Sequence, residues 1–213
     1  MLSLFNFSND YATDRKEDLV KAGAFKALLR TSISSLPINY QEVFRSLGQS
    51  ITQIWTYSYQ HLENEVHESI DDYIKGCGEY GSIFFFRPKT YIIYYNDIWP
   101  EDVKNWMFLS LYACAELNLV PVKGIVKYSD DLDDLVNNFV YYFLAPDPVL
   151  KECGINSAKE ISTACCMPLK NALAKSRQLK NKRGHNRATL FDISLIHNFS
   201  EFISGIVDNS KQK

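Results

Sequence analysis

His61, Glu65 and His67 lie within a seven-residue stretch of a segment, residues 60–75, that reads as helical. On a helix His61 meets Glu65, and Glu63 meets His67, at i,i+4 spacing. A helical zinc site needs two histidines four apart on one face. His61 and His67 are six apart, so they project to different sides, and a solvated helix face is the simpler reading. Cysteine is the second candidate chemistry. Cys77, Cys114, Cys153, Cys165 and Cys166 are odd in number and irregular in spacing, and two are adjacent. The paired C-x2-C arms of a zinc finger, and the C-x-x-C of a redox pair, are missing. These thiols read as reduced and buried.

A third cluster is electrostatic. Between Glu160 and Asp192 there is no acidic residue, whereas Lys170, Lys175, Arg177, Lys180, Lys182, Arg183 and Arg187 all fall there. The cluster follows two short helices, so a helix-turn-helix-like contact with DNA is one reading. An ordinary exposed basic linker is the other, and Arg183-Gly184-His185 does not look like a recognition helix.

The chain that must position these groups has 213 residues, 46% of them apolar, and a net charge of −2. That is enough for one sizeable core and is a folding composition. The charge balance points to neither nucleic acid nor membrane. The first residues do not read as a signal peptide, and no run approaches the roughly 18–20 apolar residues of a membrane span. A cytoplasmic protein without membrane association is expected.

Residues 15–30 carry Leu19, Ala22, Phe25, Leu28 and Leu29 at helical spacing. A second helix is expected over Tyr40–Leu47, a strand over Ile51–Tyr57, and two short strands over Ser82–Phe86 and Thr90–Tyr94, joined at Arg87-Pro88-Lys89. The aromatic hairpin, Phe84–Phe86 and Tyr91–Tyr95, reads mostly as core. If its outer strand were an edge, it could add a peptide strand. Pro100 suits the first turn of a helix running to about Asn118. That helix is apolar on nearly every side, which implies a central position. Asp130–Asp134 favours the N-terminus of a helix over Leu135–Ala145, which Pro146 and Pro148 stop. Ser157 and Glu160 have capping-box spacing for a short helix. Met167-Pro168 ends that helix, and Leu169–Leu179 forms the next. Asp192 is expected to cap a last helix that turns Leu195, Phe199, Phe202 and Ile206 inward. Helices, then a small sheet, then only helices make an α+β pattern.

Three segments together resemble the ImmA/IrrE family of phages and integrative elements. They are Leu36-Pro37-Ile38-Asn39 with Leu47-Gly48 after it; Lys89–Asp97 (KTYIIYYND) with Ile98-Trp99-Pro100-Glu101; and Asp133–Pro146 (DDLVNNFVYYFLAP). In the last, Asn137, Phe139, Leu144 and Pro146 match the family's "E-x-E-A-N-x-F-A-x-x-L-L-M-P" helix. Leu150–Ser157 (LKECGINS) resembles the family's helical end. The resemblance implies a zincin-like domain with a small antiparallel or mixed sheet packed on helices, followed by a helical C-terminal region. The expected divisions are a helical extension over residues 1–30, the zincin-like domain over 31–146 and the C-terminal helices over 147–213.

Active members of that family are zinc endopeptidases with H-E-x-x-H on the helix after the Y-N-D turn and a further Glu ligand on the next helix. Aligned on this chain, Ser110 stands at the first His, Leu111 at the Glu, Cys114 at the second His and Leu135 at the third ligand. Leu111 cannot accept a proton and Leu135 cannot bind a cation. No register slip helps, because no His occurs from Glu68 to Gly184. The resemblance therefore implies a member without catalytic residues, bound metal or cofactor, acting through a protein partner such as an Xre-type helix-turn-helix repressor. Two alternatives stay open: a residual metal- or Cys114-dependent peptidase, and a DNA-associated regulator using residues 168–187.

Overall fold

The computed structural model describes residues 6–47, 52–67, 69–129, 132–181 and 188–211. Its architecture is α+β: the described residues form eleven helices and one four-stranded mixed sheet. The chain opens with α1 (Asn6–Arg30) and α2 (Tyr40–Leu47), then β1 (Gln53–Ser58), α3 (Tyr59–Val66) and α4 (Ile70–Cys77). The hairpin β2 (Gly81–Arg87) and β3 (Thr90–Tyr95) precedes α5 (Glu101–Glu116) and the short β4 (Ile125–Lys127). The rest is helical: α6 (Asp134–Leu144), α7 (Asp147–Glu152), α8 (Ala158–Cys165), α9 (Leu169–Asn181), α10 (Leu190–Asn198) and α11 (Ser200–Lys211).

The strand order is β1-β3-β2-β4, with β1 parallel to β3 and both other pairs antiparallel. The aromatic hairpin is therefore central. Strand β4 covers the outer side of β2 over Ser82–Phe84, so the hairpin's outer strand is not an open edge there. The edges are β1 and the three-residue β4, which no local pattern marked. Alternation turns Tyr91, Ile93 and Tyr95 of β3 and Ile83 of β2 toward α5, where Tyr95 meets Phe108 at 4.8 Å between ring centroids. The opposite face carries Trp55, Tyr57, Phe84 and Tyr94.

Helix α5 is the centre of the molecule. Every residue from Lys104 to Ala115 is buried, as a helix apolar on nearly every side must be. Phe108 stacks on Tyr40 at 4.0 Å and meets Phe44 edge-on, and Tyr112 meets Phe139 and Phe143 edge-on. Such aromatic pairs contribute about 0.5–1.5 kcal/mol each beyond their burial. Asn105 fastens the segment before α2: its Oδ1 accepts from the Tyr40 amide at 2.9 Å and its Nδ2 donates to the Ile38 carbonyl at 2.9 Å. Helix α1 contributes Val20, Ala24, Phe25 and Leu28 to the same hydrophobic cluster, and Arg30 pairs with Glu116 at the far end of α5 at 2.5 Å.

Local signals placed most boundaries. The Ser157–Glu160 capping box is formed in both directions. The helix expected over residues 60–75 is two helices, because His67 takes a left-handed conformation (φ 60°) and Ser69 caps a new start. Pro146 and Pro148 do stop α6, but Pro148 then sits in the first turn of α7, where a missing N–H costs nothing. Asp192 does not cap the last helix. Thr189 does, accepting from the Asp192 amide while the Asp192 carboxylate accepts from the Thr189 N–H, a reciprocal box. The single last helix is in fact α10 and α11, bent by 65° at Phe199. Phe199 and Leu195 are fully buried, and the bend lets Phe202 pack partly on the same core. No single described helix is long and apolar enough to cross a membrane; only α10 and α11 taken together reach that length, as a broken pair.

Candidate functional site

The positions that the family resemblance assigns to catalysis are packed shut. Ser110 is fully buried and its Oγ donates back to the Trp106 carbonyl at 2.9 Å, an ordinary way to satisfy a hydroxyl one turn along a helix. Leu111 is fully buried too, and Leu135 packs against the core from the start of α6. Cys114 is 1% exposed. Burial pushes its thiol up to about 12, and the nearby Asp133 carboxylate adds to the rise. A nucleophilic cysteine needs the opposite, a lowered pKa and access. Cys165 is likewise pushed up to about 12, by burial first. Among the described residues, no three His, Cys, Asp or Glu side chains converge on a point that could hold a metal ion.

The histidine pair is not assembled either. His61 lies in the first turn of α3, whereas His67 is the residue that ends it, and both are exposed.

The basic segment divides. Lys170, Arg177 and Lys180 lie on the exposed side of α9. Lys175 does not: it is fully buried and bonded to Asp147 of α7, with its ammonium 4.7 Å from the centre of the Tyr142 ring. Its inclusion in a nucleic-acid face is corrected. A charge taken out of water must be paired, and Asp147 provides the pair. Lys182, Arg183 and Arg187 lie outside the described residues.

The open concavity of interest is a cleft of about 340 Å³ that separate segments build together. Its aromatic walls are Tyr80, Trp99, Trp106, Tyr128 and Tyr141. Tyr80 stacks on Trp99 at 4.5 Å and meets Tyr128 edge-on at 5.3 Å, and Trp106 meets Tyr141 at 5.0 Å with planes 55° apart. Val103 and Trp106 come from α5, Asn137 and Tyr141 from α6, and Lys170, Asn171 and Ala174 from α9. Trp99 is held by its indole N–H, which donates to the Glu79 carbonyl, and Asn137 by its Nδ2, which donates to the Leu132 carbonyl. Among the described residues, the Tyr80 and Tyr141 hydroxyls, the Trp106 indole N–H and the Asn171 carboxamide have no hydrogen-bond partner. Among the described residues, the lining contains no carboxylate. Mostly aromatic walls with a few convergent polar groups are what a binding pocket of this size requires. Sequence reasoning missed the cleft, since no two of its rings are close in sequence. Trp99, Trp106, Asn137, Tyr141 and Lys170 fell within segments already singled out, each for another reason.

Compared with protein-family models, curated proteins and solved structures, the chain matches none.

Proposed function

We propose that this chain is a non-catalytic, ImmA/IrrE-like protein of zincin-like build that acts in the cytoplasm by binding another protein, in the regulation of a phage or mobile element. The observation that carries the reading is a contrast on one helix. The α5 residues at the would-be catalytic positions, Ser110, Leu111 and Cys114, are sealed in the core, while Val103 and Trp106 of the same helix open onto an aromatic cleft. Such a surface binds and has no group poised to cut. An Xre-type helix-turn-helix repressor is the first partner to test. Co-expressed with a repressor from its native host, the chain should elute as a complex with the repressor intact, and should carry near-zero zinc after purification from zinc-replete medium. Stoichiometric zinc together with cleavage of the repressor, or recovery of no repressor-like protein from the host, would overturn the reading.

The DNA reading keeps Lys170, Arg177 and Lys180 on one exposed helix face. Duplex binding that falls steeply with salt is its required signature.

A further inference from the structure

We infer that the aromatic cleft between α5, α6 and α9 receives a proline-rich, extended segment of a partner protein, a ligand in the polyproline II conformation. This rests on the protein-binding reading above and gives the partner its chemistry. Three observations point to that class of ligand.

The first is hydrogen bonding. Trp106 is only 3% exposed, lines the cleft, and has an indole N–H without an acceptor among the described residues. The Tyr80 and Tyr141 hydroxyls and the Asn171 carboxamide, around the same cleft, are equally without partners. An indole N–H at a cleft wall is a donor that an entering ligand can use. These groups can all donate. A proline-rich segment offers carbonyl acceptors and few N–H groups, because proline has none and a polyproline II helix makes no internal hydrogen bonds.

The second is ring geometry. A flat base needs a slot with parallel walls. Here Tyr80 and Trp99 already stack on each other, Tyr128 stands edge-on to Tyr80 at 69°, and Trp106 and Tyr141 are inclined at 55°. The walls are ridges with troughs between them. Puckered proline rings fill such troughs, and aromatic-lined grooves are how polyproline II segments are recognised in general.

The third is size. A volume of about 340 Å³ suits a short stretch of chain. One polyproline II turn is three residues and roughly 9 Å long.

The test is a titration of the full chain carrying Trp55→Phe with an acetylated, amidated nonaproline peptide. That substitution removes the one tryptophan outside the cleft, so fluorescence reports Trp99 and Trp106 alone. An alanine-rich peptide of equal length and a nonathymidylate oligonucleotide run beside it. The expected result is saturable binding of nonaproline only, weakened about three- to tenfold by Tyr141→Phe and by Asn171→Ala, each of which removes one hydrogen-bonding group. Unchanged thermal unfolding would show both variants to be folded. No saturable nonaproline signal, or binding indifferent to both substitutions, overturns the inference. Saturable binding of the oligonucleotide in place of the peptide, with sensitivity to both substitutions, overturns it in favour of a nucleic-acid site. A repressor that still co-elutes while nonaproline fails to bind leaves the protein-binding reading standing and removes only the proline ligand.

Discussion

One turn of α5 separates two opposite environments. At Trp106 the helix forms a cleft wall, with an indole N–H that has no acceptor among the described residues. At Ser110, and one further turn on at Cys114, the side chains are sealed in the core, with the Ser110 hydroxyl donating to the Trp106 carbonyl. The second contrast is on α9, where Lys175 is buried against Asp147 and Arg177, two residues on, faces solvent. Ser110, Cys114 and Lys175 lie inside, and mostly aromatic and amide groups line the open cleft. Residue type therefore misdirects a search for chemistry here. Access and protonation state decide what a serine, cysteine or lysine can do, and both are tertiary properties.

The largest effect that would break this contrast is expected at Lys175. Lys175→Met leaves Asp147 buried without its cation and should cost about 3–5 kcal/mol in urea unfolding. A Lys175→Met/Asp147→Leu double variant should recover most of that loss, because two apolar side chains need no pairing. If Lys175→Met alone were neutral, Lys175 would be solvated and the contrast on α9 would vanish.

Asn105→Ala ranks next. It strands the Tyr40 N–H and the Ile38 carbonyl inside the protein, and about 1–3 kcal/mol of stability should be lost in the same assay.

Alkaline pH tests the enclosed thiols. Cys114 and Cys165 are raised in the folded state to about 12 from an ordinary value of 9.0, so the native state holds their protons where the unfolded chain releases them. The stability they contribute is complete below the ordinary thiol range and is lost as pH rises from about 9 toward about 12. Each thiol adds a slope of about 1.4 kcal/mol per pH unit in that window. Unfolding followed from pH 8 to 11 by denaturant titration reads it. At neutral pH, thiol labelling followed by mass spectrometry should modify the half-buried Cys153 and Cys166 well before Cys114 or Cys165. Early labelling of Cys114 would reopen the nucleophile reading.

The smallest effects belong to the exposed side. Arg177→Ala and Asn171→Ala should leave the unfolding midpoint within about 0.5 kcal/mol of the parent. A larger loss at Asn171 would mean that it supports the fold, and the cleft would lose one of its ligand groups.

Much of the fold was legible along the chain. The strands at β2 and β3 rest on β-branched and aromatic residue types around a proline turn, and the helix after Pro100, the capping box at Ser157 and the break at Met167-Pro168 on contacts three or four residues apart or on the fixed φ of proline. The all-round apolar surface of α5 placed it in the centre before any partner was known. Misreadings arose where a local signal competed with a distant one. Asp192 looked like a cap, but Thr189 three residues earlier takes that place. Leu195 to Ile206 kept helical spacing, but the packing of Phe199 bends the helix there. A lysine in a basic run looks solvated until Asp147, 28 residues earlier, is folded against it.

By itself, then, the sequence determined the α+β order of elements, most of their ends, and that no H-E-x-x-H motif is present. Tertiary structure alone decided that α1 belongs to the core, that β4 closes the sheet, that Lys175 is enclosed, and that five aromatic rings from separate segments meet around one cleft. The physical reason is range. Periodicity, capping and turn chemistry act within about one helical turn, whereas burial and the shape of a cavity depend on which distant surfaces exclude water together.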